Sequence, residues 1–247
     1  MAPENSSRIA LLIDADNVSA EHVAGILAEI STYGVASVRR MYGDWTTPQL
    51  QAWKSAANEH SIQPVQQFAY TKGKNATDSA LIIDAMDLLH LNDLDGYAIV
   101  SSDSDYTRLA SRLRESGATV YGFGERKTPA PFVRACDVFT YLDVLGVDST
   151  DGDDPAAPER KPSRTVQRDK ALLSMLRKGV EAAADDDGWA HLGGVGSLLR
   201  KQAPDFDSRN WGYSKLGDLV DAVGIFEIDR TKSSSGGTQV RIRLKRR

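Results

Sequence analysis

The chain carries two kinds of apolar pattern that alternate for its first 145 residues or so. Short runs that are apolar at every position, such as those at 11–13 and 98–100, read as strands buried on both faces of a parallel sheet. Longer stretches with apolar residues three or four apart read as helices covering that sheet. Strands are predicted at 8–13, 36–42, 62–68, 97–100, 119–123 and 138–142, with 97–100 as the central one. Helices are predicted at 20–33, from 47 onward, and at 77–91, 106–115 and 132–135. Ser19 suits an N-cap, Pro48 a first helical turn and Gly117 a helix end. Alternating β and α units of this length predict an α/β fold, a mostly parallel sheet flanked by helices.

The pattern stops at 147–163, VDSTDGDDPAAPERKPS, a polar stretch rich in Asp and Pro that reads as a flexible linker. Helical spacing returns at 169–184, 198–202 and 213–223, the last bounded by Gly224. Two period-two runs at 225–228 and 240–244 then flank a Gly-rich turn at 233–237. Three helices and a hairpin predict a small C-terminal winged-helix domain. The expected organisation is a domain at 1–146, a linker at 147–163 and a second domain at 164–247.

Charge separates the two domains further. Residues 160–247 carry a net +7, whereas the rest of the chain carries −11, so the overall −4 conceals an acidic body and a basic tail. A basic second domain points to a polyanionic partner. Cys136 is the sole cysteine, which excludes an intrachain disulfide and a cysteine-built zinc cage. It reads as a small buried hydrophobe. No apolar run approaches the ~20 residues of a membrane span, and 1–7 has no leader-like apolar region, so a cytoplasmic protein is the expectation. The histidines at 22, 60, 90 and 191 are scattered without ligand spacing. YGFGER at 121–126 lacks the third glycine of a dinucleotide fingerprint.

The chemistry is concentrated where strands are expected to end. LLIDADN releases Asp14, Asp16 and Asn17 after the first strand, and AIVSSDSDY releases Asp103 and Asp105 after the fourth. Ligand sites in parallel sheets lie beyond the carboxyl ends of the strands. Between the two motifs, TKGKNATD brings Asp78 to the first turn of a helix, where the helix dipole favours a carboxylate. Asp14, Asp78, Asp103 and Asp105 together form an all-oxygen set suited to Mg²⁺ or Mn²⁺. Asn17 adds a neutral ligand or hydrogen bond. Lys72 and Lys74 precede Asp78 on a Gly-containing loop, well placed to meet phosphates. Taken singly, each aspartate is more simply a cap or a turn residue.

The order D-x-x-N, then K-x₃-D, then S-x-D-x-D resembles the NYN domain, a branch of the PIN-like nucleases that includes the LabA-like proteins. The resemblance covers about 8–145. It implies a metal-dependent ribonuclease, with the family's motif residues on Asp14, Asn17, Asp78, Asp103 and Asp105, and Ser101 beside the last pair. Asp16 sits where the family varies, and Asp84 is a weaker candidate. PIN-like relatives often dimerise, which keeps a homodimer open. DADNV at 14–18 also fits the D-x-D motif of haloacid-dehalogenase-like phosphatases. The later motifs of that family do not follow in order.

The segment NWGYSKLGDLV at 210–220 resembles the LOTUS domain, also called OST-HTH, a winged-helix RNA-binding fold. Leu172, Leu173, Leu176, Leu198, Leu199, Leu216, Leu219 and Val220 recur at helical spacing and read as core. Arg200, Lys201, Arg209 and Lys215, with wing residues Arg230, Lys232, Arg241, Arg243 and Lys245, are candidates for phosphate contact. Trp211 and Tyr213 are candidates to stack on an unpaired base, with core burial the competing reading for each. The sequence thus points to a ribonuclease with an RNA-binding module, against an RNA-binding adaptor whose nuclease site is silent.

Overall fold

The computed structural model of the chain describes residues 6–67, 76–91, 93–146, 160–232 and 238–245. Two compact units, Met1–Gly146 and Val147–Arg247, each enclose their own core. In the first unit the strands β1 (Arg8–Asp14), β2 (Val35–Gly43), β3 (Gln63–Gln66), β4 (Gly96–Val100), β5 (Thr119–Gly124) and β6 (Val138–Tyr141) form one sheet. Its order is β3-β2-β1-β4-β5-β6, and every neighbouring pair is parallel. The helices α1 (Val23–Ser31), α2 (Gln51–Glu59), α3 (Ala76–Leu91), α4 (Thr107–Glu115) and α5 (Ala130–Ala135) lie between the strands in sequence.

Alternation along the central strands sorts side chains onto the two faces. Ala10 and Leu12 of β1 join Tyr97 and Ile99 of β4 in a core with Leu81, Leu109 and Phe132 from α3, α4 and α5. Ile9, Leu11 and Ile13 join Ala98 and Val100 in the opposite core, against Ile26 of α1 and Trp53 of α2. Both faces of β1 and β4 are thereby sealed, which is why their sequences are unbroken apolar runs. Cys136 is buried in the first core, and burial pushes its thiol up to about 12, well away from nucleophile chemistry.

The topology fixes where a site forms. The chain builds outward from β1 through β2 to β3, then returns to β4 on the other side of β1 and builds outward again. The connections leaving β1 and β4 therefore diverge, and a crevice opens at the carboxyl ends of these two strands.

The second unit contains α6 (Ser163–Val166), α7 (Lys170–Ala183), α8 (Leu192–Gln202) and α9 (Leu216–Val223). The strands β7 (Ala190–His191), β8 (Phe226–Lys232) and β9 (Thr238–Leu244) form an antiparallel sheet in the order β7-β9-β8. The hairpin and the three longer helices match the expected winged helix, and α6 and β7 are additions. α9 begins at Leu216 rather than near 213, because the left-handed Gly212 closes the preceding turn and Lys215 becomes the extended N-cap. At the start of this unit the Lys161 amide donates to the Trp211 carbonyl at 3.1 Å. The segment expected as linker is therefore structured from residue 160, while 147–159 lie outside the described residues.

Candidate functional site

Three elements meet in the crevice. β1 ends at Asp14, α3 brings Asp78 in its first turn, and the 3-10 turn after β4, Ser104–Tyr106, carries Asp103 as its N-cap and Asp105 within it. One carboxylate oxygen from each of Asp78, Asp103 and Asp105 lies within 4.8 Å of the other two. Asp78 is buried, Asp103 half-buried and Asp105 exposed, so the group is open on one side.

Asp14 is fully buried behind this trio and is not one of it. Its Oδ2 accepts from Asn17 Nδ2 at 2.7 Å and from Ser101 Oγ at 2.8 Å. Among the described residues its Oδ1 is buried and has no hydrogen-bond partner. Burial raises the Asp14 carboxyl from the ordinary 3.8 to about 6, with the two hydrogen bonds opposing and the charges of Asp78 and Asp16 adding. Asp78 is likewise raised, mainly by burial and also by Asp103, Asp105 and Asp16, while its hydrogen bond from Tyr106 lowers it. Negative charge is therefore held here at a cost that a cation would relieve.

The supporting contacts are specific. Ser101 is fully buried; its Oγ also accepts from the Asp103 amide at 3.1 Å, so one hydroxyl orients Asp14 and the backbone of the second motif. Asp103 Oδ1 accepts from the Asp105 amide at 2.9 Å, fixing the turn that presents both carboxylates. Tyr106, fully buried, donates to Asp78 Oδ1 at 2.7 Å. Asp16 Oδ2 accepts from Thr77 Oγ1 at 2.8 Å, tying the β1 loop to the start of α3. On the far side of β4, Gly124 must be glycine, since a Cβ there would stand 2.7 Å from the Ser101 carbonyl.

An all-oxygen donor set, open to one side and backed by an orphaned buried carboxylate oxygen, fits a hard divalent cation. Tyr106 and Thr77 were not singled out in the sequence. Their signal was weak, because each becomes a site residue only through the neighbour that the fold gives it. Asp84 belongs elsewhere: it accepts from the Tyr42 hydroxyl and pairs with Arg40, which makes it a structural partner at the sheet. Lys72 and Lys74 lie outside the described residues.

In the second unit the proposed RNA contacts divide. Arg200 and Lys201 are exposed in the last turn of α8, and Lys215 is exposed at the start of α9. Of the two readings offered for Tyr213, stacking on a base and burial in the core, the structure takes the second: it is buried, with its hydroxyl on the Lys161 carbonyl at 2.9 Å, and it has no face to offer a base. Its neighbour Trp211 is half-buried and donates its indole N–H to Asp169 at 3.0 Å. Arg209 is engaged by Asp207. In the wing, Arg241 pairs with Asp229 and Arg243 with Glu227 across the hairpin, and both guanidinium groups lie over Trp189, at 5.5 and 4.6 Å from the ring centre. Trp189 precedes β7, a strand too short to read from sequence.

A family model described as the NYN domain matches residues 8–143, and one described as the OST-HTH/LOTUS domain matches 164–237. A Vibrio parahaemolyticus protein of unknown function is similar at 18% identity and a TM-score of 0.48, over 60% of this chain and 98% of its own. A Nitrosomonas europaea protein is similar at 34% identity and a TM-score of 0.28, over 40% of this chain and 92% of its own. A Chromobacterium violaceum fragment is similar at 38% identity and a TM-score of 0.26, over 30% of this chain and 78% of its own. Among curated proteins none matches. Among the described residues, no helix is long and apolar enough to cross a membrane.

Proposed function

The chain belongs to the NYN domain family, a nuclease family, over residues 8–143 and continues into an OST-HTH/LOTUS domain, and from that premise we propose that it is a metal-dependent ribonuclease hydrolysing RNA phosphodiester bonds. The observation that carries the proposal is the meeting of Asp78, Asp103 and Asp105 oxygens within 4.8 Å at the point where the sheet reverses its order. These three would hold Mg²⁺ or Mn²⁺, with Asp14 as a further negative charge behind them. A divalent ion bound there would supply an acidified water and neutralise charge on the phosphate oxygens.

The chain's own residues do the rest. Ser101 and Asn17 keep Asp14 oriented, and Tyr106 fixes the Asp78 carboxylate at the cluster. The unneutralised cluster repels phosphate, which makes RNA approach dependent on the cation. Exposed Arg200, Lys201 and Lys215 would raise the local concentration of RNA through sequence-independent attraction. The phosphatase alternative loses support, because its nucleophile would be Asp14, a fully buried carboxylate with one oxygen already held by two donors.

The test is incubation of labelled single-stranded RNA with the full chain, with and without Mn²⁺, beside Asp103→Asn. Cleavage by the unaltered chain that needs the metal and the carboxylate is the expected result. Binding by both proteins with cleavage by neither would leave an RNA-binding adaptor.

A further inference from the structure

The first unit also carries a solvent-open pocket of about 480 Å³ between α2 and the ends of β2 and β3, within the size range of small-ligand sites. Its floor is apolar, with Met41, Leu50 and Ile62. Along one wall α2 places Gln51, Lys54 and Asn58 at helical spacing, all three exposed. Trp45 also lines the pocket. Its indole N–H donates to the Val65 carbonyl at 3.0 Å and its amide to Gln66 Oε1 at 3.1 Å, while Gln66 Nε2 donates to Asp44 at 3.0 Å. The ring is thereby fixed before any ligand arrives. Lys54 is the charged residue among the described lining residues, and no carboxylate joins it. That is the reverse of the acidic cluster.

The cavity lies by β2 and β3 on the face covered by α2, and the cluster lies at the carboxyl ends of β1 and β4 beside α3. A Cβ on Gly43, the last residue of β2, would stand 2.7 Å from Leu50 of the cavity floor and 3.4 Å from Asp16 Oδ1. Asp16 is in turn bonded to Thr77, next to Asp78. With strands roughly 5 Å apart, the offset is one to two strand spacings. Asp14 pairs with Tyr42 across those strands, so the two sites face the same end of the sheet.

We propose that this cavity receives one unpaired nucleobase of the RNA strand whose backbone lies at the acidic cluster, with Trp45 as the aromatic wall, Gln51 and Asn58 reading the base edge, and Lys54 meeting the adjoining phosphate. The assignment rests on the ribonuclease reading and adds to it a pocket for one base of the strand, turned out from its neighbours. Aromatic rings and side-chain amides are the groups that recognise unstacked bases. A duplex, whose bases are stacked inward, would not fill the cavity.

The experiment uses the full chain and a set of short single-stranded RNAs, each with one base removed from the sugar. Cleavage efficiency in Mn²⁺ should fall about tenfold for one abasic position at a constant distance from the cut bond. In Lys54→Ala/Asn58→Ala, two exposed substitutions that leave the apolar floor intact, the complete RNA should be cut as poorly as the abasic one is cut by the unaltered chain. Equal cleavage of all RNAs by both proteins would overturn the base site and leave the nuclease standing. A second arm, photocrosslinking of 4-thiouridine RNA with Ca²⁺ in place of Mn²⁺, does not depend on cleavage: crosslinks on the peptides holding Trp45 or Gln51 to Asn58 are expected. Crosslinks confined to other peptides would overturn the proposal. Crosslinking in the cavity with no cleavage under any condition would overturn the nuclease reading alone.

Discussion

Tyr106, which leaves β4, donates its buried hydroxyl to Asp78, which enters from α3, at 2.7 Å. That bond spans two elements that are distant in sequence, and it lowers a carboxyl that burial has raised. Replacing Tyr106 with Phe should leave Asp78 Oδ1 buried without its donor. Divalent-cation affinity should fall about 10–100-fold, and stability by about 1–3 kcal/mol. Removing the donor raises the Asp78 carboxyl further, so the loss should grow as pH falls. Cation titration across a pH series measures it.

Asp14 makes stability depend on pH. Its folded value, about 6, lies above the ordinary 3.8, so between these limits the folded chain keeps a proton that the unfolded chain has released. Stability is therefore fully present below about pH 4 and is lost as pH rises through about 6, by an amount on the order of 3 kcal/mol. Asp78, raised by burial, adds in the same direction. Thermal unfolding in a chelator should show the decline. Asp14→Asn should flatten it, with the amide oxygen still accepting from Asn17 and Ser101. An identical slope in the variant would contradict the assignment.

Asp84 should prove structural. Removing it leaves Arg40 and the Tyr42 hydroxyl without their shared acceptor, which should cost about 2–4 kcal/mol in Asp84→Ala. Cleavage per folded molecule should be unchanged. Denaturant unfolding and a cleavage assay separate the two outcomes, and lost cleavage at unchanged stability would return Asp84 to the site.

The sheet was legible because β1 and β4 are sealed on both faces and so spell unbroken apolar runs, and the parallel rule then assigned the aspartates to one edge. Which aspartates bring their oxygens together was not legible. Asp14 reads like Asp103 in sequence, yet the last residue of a buried strand is drawn inward, whereas residues in the following turn reach out. Asp78 and Asp84 differ by six positions on α3, and only the third dimension sets one beside Tyr106 and the other beside Arg40. In the second unit, Tyr213 sits in a basic, aromatic stretch that suggests a surface. The turn closed by Gly212 rotates it into the core instead.

The surface left to RNA in the second unit can be measured through salt. Arg200→Ala/Lys201→Ala should weaken binding and lower the salt dependence of the affinity by about 0.7–0.9 for each phosphate that is no longer neutralised. Arg209→Ala, whose arginine is already engaged by Asp207, should change that slope little. Binding isotherms at several ionic strengths distinguish them.

Carboxylates from α3 and the β4 turn must share one ion if the chain is a metal-dependent nuclease, and calorimetric titration of Mn²⁺ into the unaltered chain and into Asp103→Asn tests this most directly. An asparagine keeps the N-cap at position 103, so the fold should persist while one charged ligand is lost. Saturable binding by the unaltered chain, weakened about a hundredfold or more in the variant, is the predicted result. Equal binding by both proteins, or none by either, would contradict it.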